Sequence, residues 1–144
     1  MKTYAAKPAD IVRQWYLVDA SGQTLGRLAA RVARLLMGKH KALVSRNADV
    51  GDFVVIINAE KINVTGKKAT QKLYYHYTMY PGGMRSPTME KVMEKDPTRV
   101  IEHAVFGMLP HTKLGDAMRK KLRVFAGENH PFGNAVKKIS LEEM

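Results

Sequence analysis

Apolar and polar positions recur along this chain in two periods, and the switches between them outline the elements. Trp15-Tyr16-Leu17-Val18 is a short β-prone apolar run, ended by Asp19 and the turn pair Ser21-Gly22. Thr24 offers an N-cap. Leu25, Leu28, Ala29, Val32, Leu35 and Leu36 then mark one face of a helix that Gly38 ends. Phe53-Val54-Val55-Ile56-Ile57 has no polar position, the pattern of a strand buried on both faces of a parallel sheet. A helix between two such runs predicts a right-handed strand–helix–strand unit. Asn58 to Gly66 alternates loosely, with Ile62 and Val64 inward.

In the second half, Leu73, Tyr75 and Tyr77 alternate and predict a strand face in the core, with a loop following to Gly83. Pro87-Thr88 opens a short helix with Met89, Val92 and Met93 on one face. Asp96-Pro97 pairs an N-cap with proline at the first helical position. The apolar face of the helix it starts (Val100, Ile101, Ala104, Val105, Met108, Leu109) stops at Pro110. Leu114, Met118 and Leu122 lie four apart on a further short helical face, which sets Arg119, Lys120 and Lys121 opposite, away from the apolar stripe. The chain then turns extended through Val124 to Gly127. Residues 1–13 hold Pro8 and no period and predict an N-terminal arm; 14–127 predict one α/β domain, and 128–144 a C-terminal extension of loop and arm.

Composition adds the partner. With 144 residues and 45% hydrophobic content the chain can bury a real core, and its net charge of +11 calls for a polyanion or an acidic surface. The charge is segregated. Six basic residues and no acid lie between Asp19 and Asp49, and five and none between Glu60 and Glu90. Lys113 to Gly127 holds five basics against Asp116 alone, whereas Glu90 to Glu102 is nearly balanced. There is no cysteine, hence no disulfide framework and no thiolate metal site. No apolar run reaches the roughly 18 residues of a membrane span, and the first residues lack the apolar core of a secretory signal, so the expected location is cytoplasmic. The sequon Asn63-Val64-Thr65 then reads as chance.

Two stretches carry candidate chemistry. Gly38-Lys39-His40-Lys41 presents three groups able to meet phosphate from a loop, although a charged loop of this kind is common. The stretch 72–83 holds four of the six tyrosines, and Tyr77, Tyr80 and His76 can stack on unpaired bases where Gly82-Gly83 allow close backbone approach. Arg85 lies just beyond. Enzyme signatures fail. Gly66-Lys67-Lys68 would need glycine at Lys61 to form a phosphate loop, no G-x-G-x-x-G or G-x-S-x-G occurs, and no two histidines have the i, i+4 spacing of a helical metal site.

The ordered pieces Trp15 to Ala20, Thr24 to Ala29, Gly38 to Lys41, Asp49, Gly51-Asp52, Ile56 to Lys61, Val64 to Gly66, Tyr74 to His76, Gly82-Gly83 and Gly107-Met108-Leu109-Pro110 through Gly127 resemble the bacterial large-subunit ribosomal protein L-thirteen family. The resemblance runs from Trp15 to about Pro131. It implies a three-layer α/β/α domain around a four-stranded, mainly parallel sheet, with N- and C-terminal extensions. It implies large-subunit rRNA and neighbouring large-subunit proteins as partners, a role early in subunit assembly, and no catalysis, cofactor, metal, small-molecule substrate, membrane or homo-oligomer. Combined with the basic clusters, it places expected rRNA contacts at Arg27, Lys39, His40, Lys41, Lys67, Lys68, His76, Tyr77, Tyr80, Gly82, Gly83, Arg85, Lys113, Arg119, Lys120, Lys121, Arg123 and His130. The chain departs from the family pattern at Ser45-Arg46-Asn47, at Asp116 and at Phe132. Two other readings stand beside this one: a nucleotide-dependent or RNA-modifying enzyme on a Rossmann-like sheet, which the missing phosphate loop disfavours, and a general binder of polyanions.

Overall fold

A computed structural model describes residues 4–133 and 136–139 of the chain. Positions 1–3 of the expected arm, and 134–135 and 140–144 of the expected extension, lie outside the described residues. Strand β1 (Trp15–Asp19), helix α1 (Leu25–Met37) and strand β2 (Phe53–Ile57) form the predicted parallel unit, with Trp15 opposite Phe53 and Asp19 opposite Ile57. A short helix α2 (Lys68–Gln71) and a small antiparallel hairpin, β3 (His76–Tyr77) with β4 (Met84–Arg85), come next. Helices α3 (Met89–Lys95), α4 (Pro97–Met108) and α5 (Lys113–Arg119) lead into β5 (Leu122–Val124). A last strand, β6 (Lys137–Lys138), completes a four-stranded sheet of order β5-β2-β1-β6, parallel throughout. The class is the α/β one expected.

Helix α1 spans the positions its spacing demanded. Leu25, Leu28, Ala29, Val32, Leu35 and Leu36 are all buried, and they share one core with Tyr16, Val18, Val54, Ile56 and Leu122 of the sheet and with Met89, Val100, Ile101, Val105 and Met118. The alternate strand residues Leu17 and Val55 are buried too, which is why both strands read as unbroken apolar runs. Trp15 stacks on Phe53 with ring centroids 4.3 Å apart, and Phe132 packs against Trp15 at 4.9 Å and Phe125 at 6.2 Å. Phe132, one of the departures from the family pattern, therefore sits in an aromatic cluster.

Asp96 caps α4 as expected, its carboxylate accepting from the Thr98 backbone N–H at 3.2 Å and from the Thr98 hydroxyl at 2.6 Å. Asp96→Ala should cost about 1 kcal/mol, read as a lower urea midpoint with an unchanged slope.

Ile62 and Val64 pack inward as their alternation predicts, on a backbone that is a 3-10 turn (Ala59–Lys61) followed by a single bridge from Asn63 to Thr24, with Asn58 at φ 58°. Two expectations need correction. Leu73, Tyr75 and Tyr77 do not face the core; all three are exposed, and Tyr74 is the one that packs inward, edge-on to His103 at 5.2 Å. The hairpin projects from the domain, so its alternation does not report a buried face. Within the expected C-terminal extension, Lys137–Lys138 pair with Tyr16 and Leu17 as the fourth strand.

Candidate nucleic-acid interface

The basic loops meet the domain at two places with different electrostatics. At the first, the N-terminal ends of β1, β2 and β5 converge on the C-terminal end of α1. Asp52 is fully buried just ahead of β2. Its carboxylate accepts from the Lys41 ammonium at 2.5 Å, from the Gln14 backbone N–H at 2.8 Å, and contacts His40 Nε2 at 2.7 Å. Lys41 donates further to the carbonyls of Val12 at 2.7 Å and Val50 at 3.1 Å. Next to it, the Lys121 ammonium donates to Asp49 Oδ1 at 2.5 Å and to the Leu36 carbonyl at 3.1 Å, with the Arg13 guanidinium 4.0 Å from the other Asp49 oxygen.

This overturns the expectation that Lys41 and Lys121 lie free on a polar surface, while His40 stays exposed with its Nε2 on Asp52. Lys121 is only 5% exposed. Burial pushes its pKa below the ordinary lysine value, while the hydrogen bond it donates to Asp49 works in the opposite direction. Helical spacing misplaced it because α5 ends at Arg119: Lys121 directly precedes β5 and points between the elements. Gly51 makes the close approach possible. A Cβ there would stand 1.7 Å from the Leu36 carbonyl oxygen and 2.8 Å from Lys121 Nζ.

Around this network lie the exposed cations. Lys39, Lys113, Lys120 and Arg123 are solvent-facing, and Arg123 donates to the carbonyls of Lys120 at 3.0 Å and Leu122 at 3.2 Å. Arg119 lies over the Phe106 ring at 4.1 Å and 3.6 Å from Asp116, which neutralises part of its charge. Lys39 and Arg46 share a cleft of about 740 Å³ with Pro110, Thr112, Leu114 and Met118, so the Lys39 loop and the turn before α5 are neighbours. Arg27, Lys67 and Lys68 are exposed elsewhere, and His130 is half-buried, its Nδ1 buried and without a partner among the described residues.

The second place is the hairpin. Its tip is fixed by backbone bonds: the Thr78 N–H donates to the Gly83 carbonyl at 3.0 Å and the Gly83 N–H to the Tyr80 carbonyl at 2.9 Å. Gly82 sits at φ +69°, and a Cβ on Gly83 would stand 2.0 Å from Thr78 Oγ1. The two glycines thus shape the turn itself. The hairpin carries Tyr77, Met79, Tyr80 and Met84, and Tyr75 stands just before it, all exposed, with Met79 at 84%. A cluster of large apolar side chains on a solvent-facing hairpin marks a surface for a partner.

His76 and Arg85 face each other across the hairpin register and line a cleft of about 560 Å³ with Lys91, Lys95 and Arg99. Those last three were missed by the sequence reading. Their segment is balanced by count, but Lys91 and Lys95 are four apart and lie on one helical face. Among the described residues no cluster of three or more His, Cys, Asp or Glu could hold a metal ion, and no helix is long and apolar enough to cross a membrane.

Comparison with known proteins places the sequence in a family. The family model described as Ribosomal protein L13 matches residues 13–131. A relative from Nitrosococcus oceani, named large ribosomal subunit protein uL13, is 57% identical over 131 residues, covering 91% of this chain and 92% of its own. A relative of the same name from Thioalkalivibrio sulfidiphilus is 58% identical over 130 residues, 90% of this chain and 92% of its own. One from Symbiobacterium thermophilum is 55% identical over 130 residues, 90% of this chain and 91% of its own.

Proposed function

The chain belongs to the ribosomal protein L13 family, and from that premise we propose that it binds large-subunit rRNA as a structural constituent of the large ribosomal subunit and stabilises the RNA fold early in assembly. It works in the cytoplasm among neighbouring large-subunit proteins and catalyses nothing. The family match across 13–131 carries the reading, and the net charge of +11 agrees with it. Exposed cations neutralise phosphates and release counterions, while the α/β core holds them at fixed separations. Preference for the folded RNA junction then shifts its equilibrium by mass action.

In this reading Lys39, Lys113, Lys120 and Arg123, with Arg27, Lys67, Lys68 and Arg85, meet phosphates, and Tyr77 and Tyr80 stack on bases. Lys41 and Lys121 position the loops from within, and exposed His40, held by Asp52, stands beside Lys39 at the RNA-facing edge. Competition of a cognate rRNA fragment against bulk tRNA tests the proposal, with mapping of crosslinked peptides to place the contacts. Equal competition would leave only a general polyanion binder, and specific micromolar binding of a nucleotide in dialysis would restore the enzyme reading.

Lys39→Ala and Lys120→Ala should change stability by no more than about 0.5 kcal/mol, yet lower the salt slope of rRNA binding by about one unit each. Lys41→Ala should instead lower the melting temperature, and bind rRNA with the parental slope per folded molecule. Melting curves and titrations at several salt concentrations separate the two groups.

A further inference from the structure

We infer that the cleft between the hairpin and helices α3 and α4 is a binding site for one unstacked nucleotide of single-stranded RNA. This rests on the rRNA-binding reading and deepens it: it names the occupant of a cleft in which that reading has Arg85 alone meeting phosphate. The cleft holds about 560 Å³ and is walled by side chains of two kinds. Its aromatic lining is Tyr75, 71% exposed, and His76 beside the hairpin, and Tyr74, edge-on to His103. Its cationic lining is Lys91 and Lys95 from α3, Arg99 from α4, and Arg85 from β4, which lies opposite His76 in the hairpin.

Among the described residues none of these four cations is in an ion pair. The cleft's one carboxylate, Asp96, is committed to the Thr98 backbone and hydroxyl at the start of α4. Four unpaired cations around a concave surface create a strong local field for anions, and an aromatic wall gives a base a face to stack on. A duplex cannot use both, because its bases are already stacked on each other. A single-stranded nucleotide can, with its base on the Tyr75 side and its flanking phosphates on the α3–α4 side.

The test uses the full chain with three labelled probes: a short oligouridine single strand, a duplex of the same length, and a large-subunit rRNA fragment. Tyr75→Ala should weaken the oligouridine complex about tenfold with little change in salt slope. The Lys91→Gln, Lys95→Gln, Arg99→Gln triple variant should flatten that slope by roughly 0.7 per charge lost. Duplex binding should respond to the charge variant and not to Tyr75→Ala. Circular dichroism melts confirm that each variant is folded. Photo-crosslinking of 4-thiouridine in the oligonucleotide should label the peptide containing Tyr75. If the rRNA fragment binds every variant like the parent and no crosslink reaches that peptide, the cleft assignment falls while the rRNA reading stands. If Tyr75→Ala weakens duplex and single strand alike, the site does not select unstacked bases and the inference is wrong. Failure of the parent protein to bind any of the three probes overturns both.

Discussion

Asp52→Ala is expected to cost about 3–5 kcal/mol of folding stability, a large part of the roughly 5–15 kcal/mol that holds a domain of this size together. The carboxylate is fully buried and ties three parts of the chain to one point: the residue leading into β1, the loop after α1 and the start of β2. Removing it strands the Gln14 N–H without its acceptor and leaves the Lys41 ammonium, 21% exposed, with only the carbonyls of Val12 and Val50. Asp52→Asn keeps an acceptor for the Gln14 N–H but loses the charge, so it should fall between parent and alanine. Urea midpoints at constant slope measure the series. If Asp52→Ala shifts the midpoint no more than replacement of the exposed Glu60, the network does not support the fold.

The second large effect is on RNA. If 6–10 phosphates are neutralised, affinity for the rRNA fragment should fall by roughly 10³ or more between 50 and 200 mM salt. The exposed residues able to supply that number are spread over α1, the Lys39 loop, the start of α2, the hairpin and the turns flanking α5. The slope should therefore decline in small steps as they are removed one by one, without a single decisive residue. A flat dependence would remove the electrostatic mechanism. A full loss from one lysine would show that the contact is concentrated where the distribution of charge does not place it.

How much of this was legible in the chain depends on what each residue reports. Periodicity located α1, β2 and the Asp96 cap because burial on one face or on both leaves a direct trace in the order of residues. Net charge and the segregation of basics pointed to a polyanion for the same reason. Pairing between distant acids and bases leaves no such trace. Lys41 and Lys120 look alike in sequence, and only the fold reveals that Asp52 stands 2.5 Å from the first. Alternation misleads at 74–77, where a projecting hairpin has no core beneath it and Tyr74, not Tyr75 or Tyr77, packs inward. Lys91, Lys95 and Arg99 were hidden by counting charges over a segment when the helix sorts them onto faces. Two residues of β6 are too few for any period to register.

That short strand has a consequence in time. The sheet's edge at β1 is covered by Lys137 and Lys138, opposite Tyr16 and Leu17, so β1 waits for residues that follow it by more than a hundred positions. Parallel pairing across such a separation is slow, because the loop must close before any contact forms. Until then β1 offers an open edge to any extended segment nearby. The finished sheet ends instead on two lysines, whose charges discourage another chain from adding a strand at that edge. Hydrogen exchange during refolding should find the Ile139 amide, which donates to the Leu17 carbonyl at 3.0 Å, among the last to gain protection.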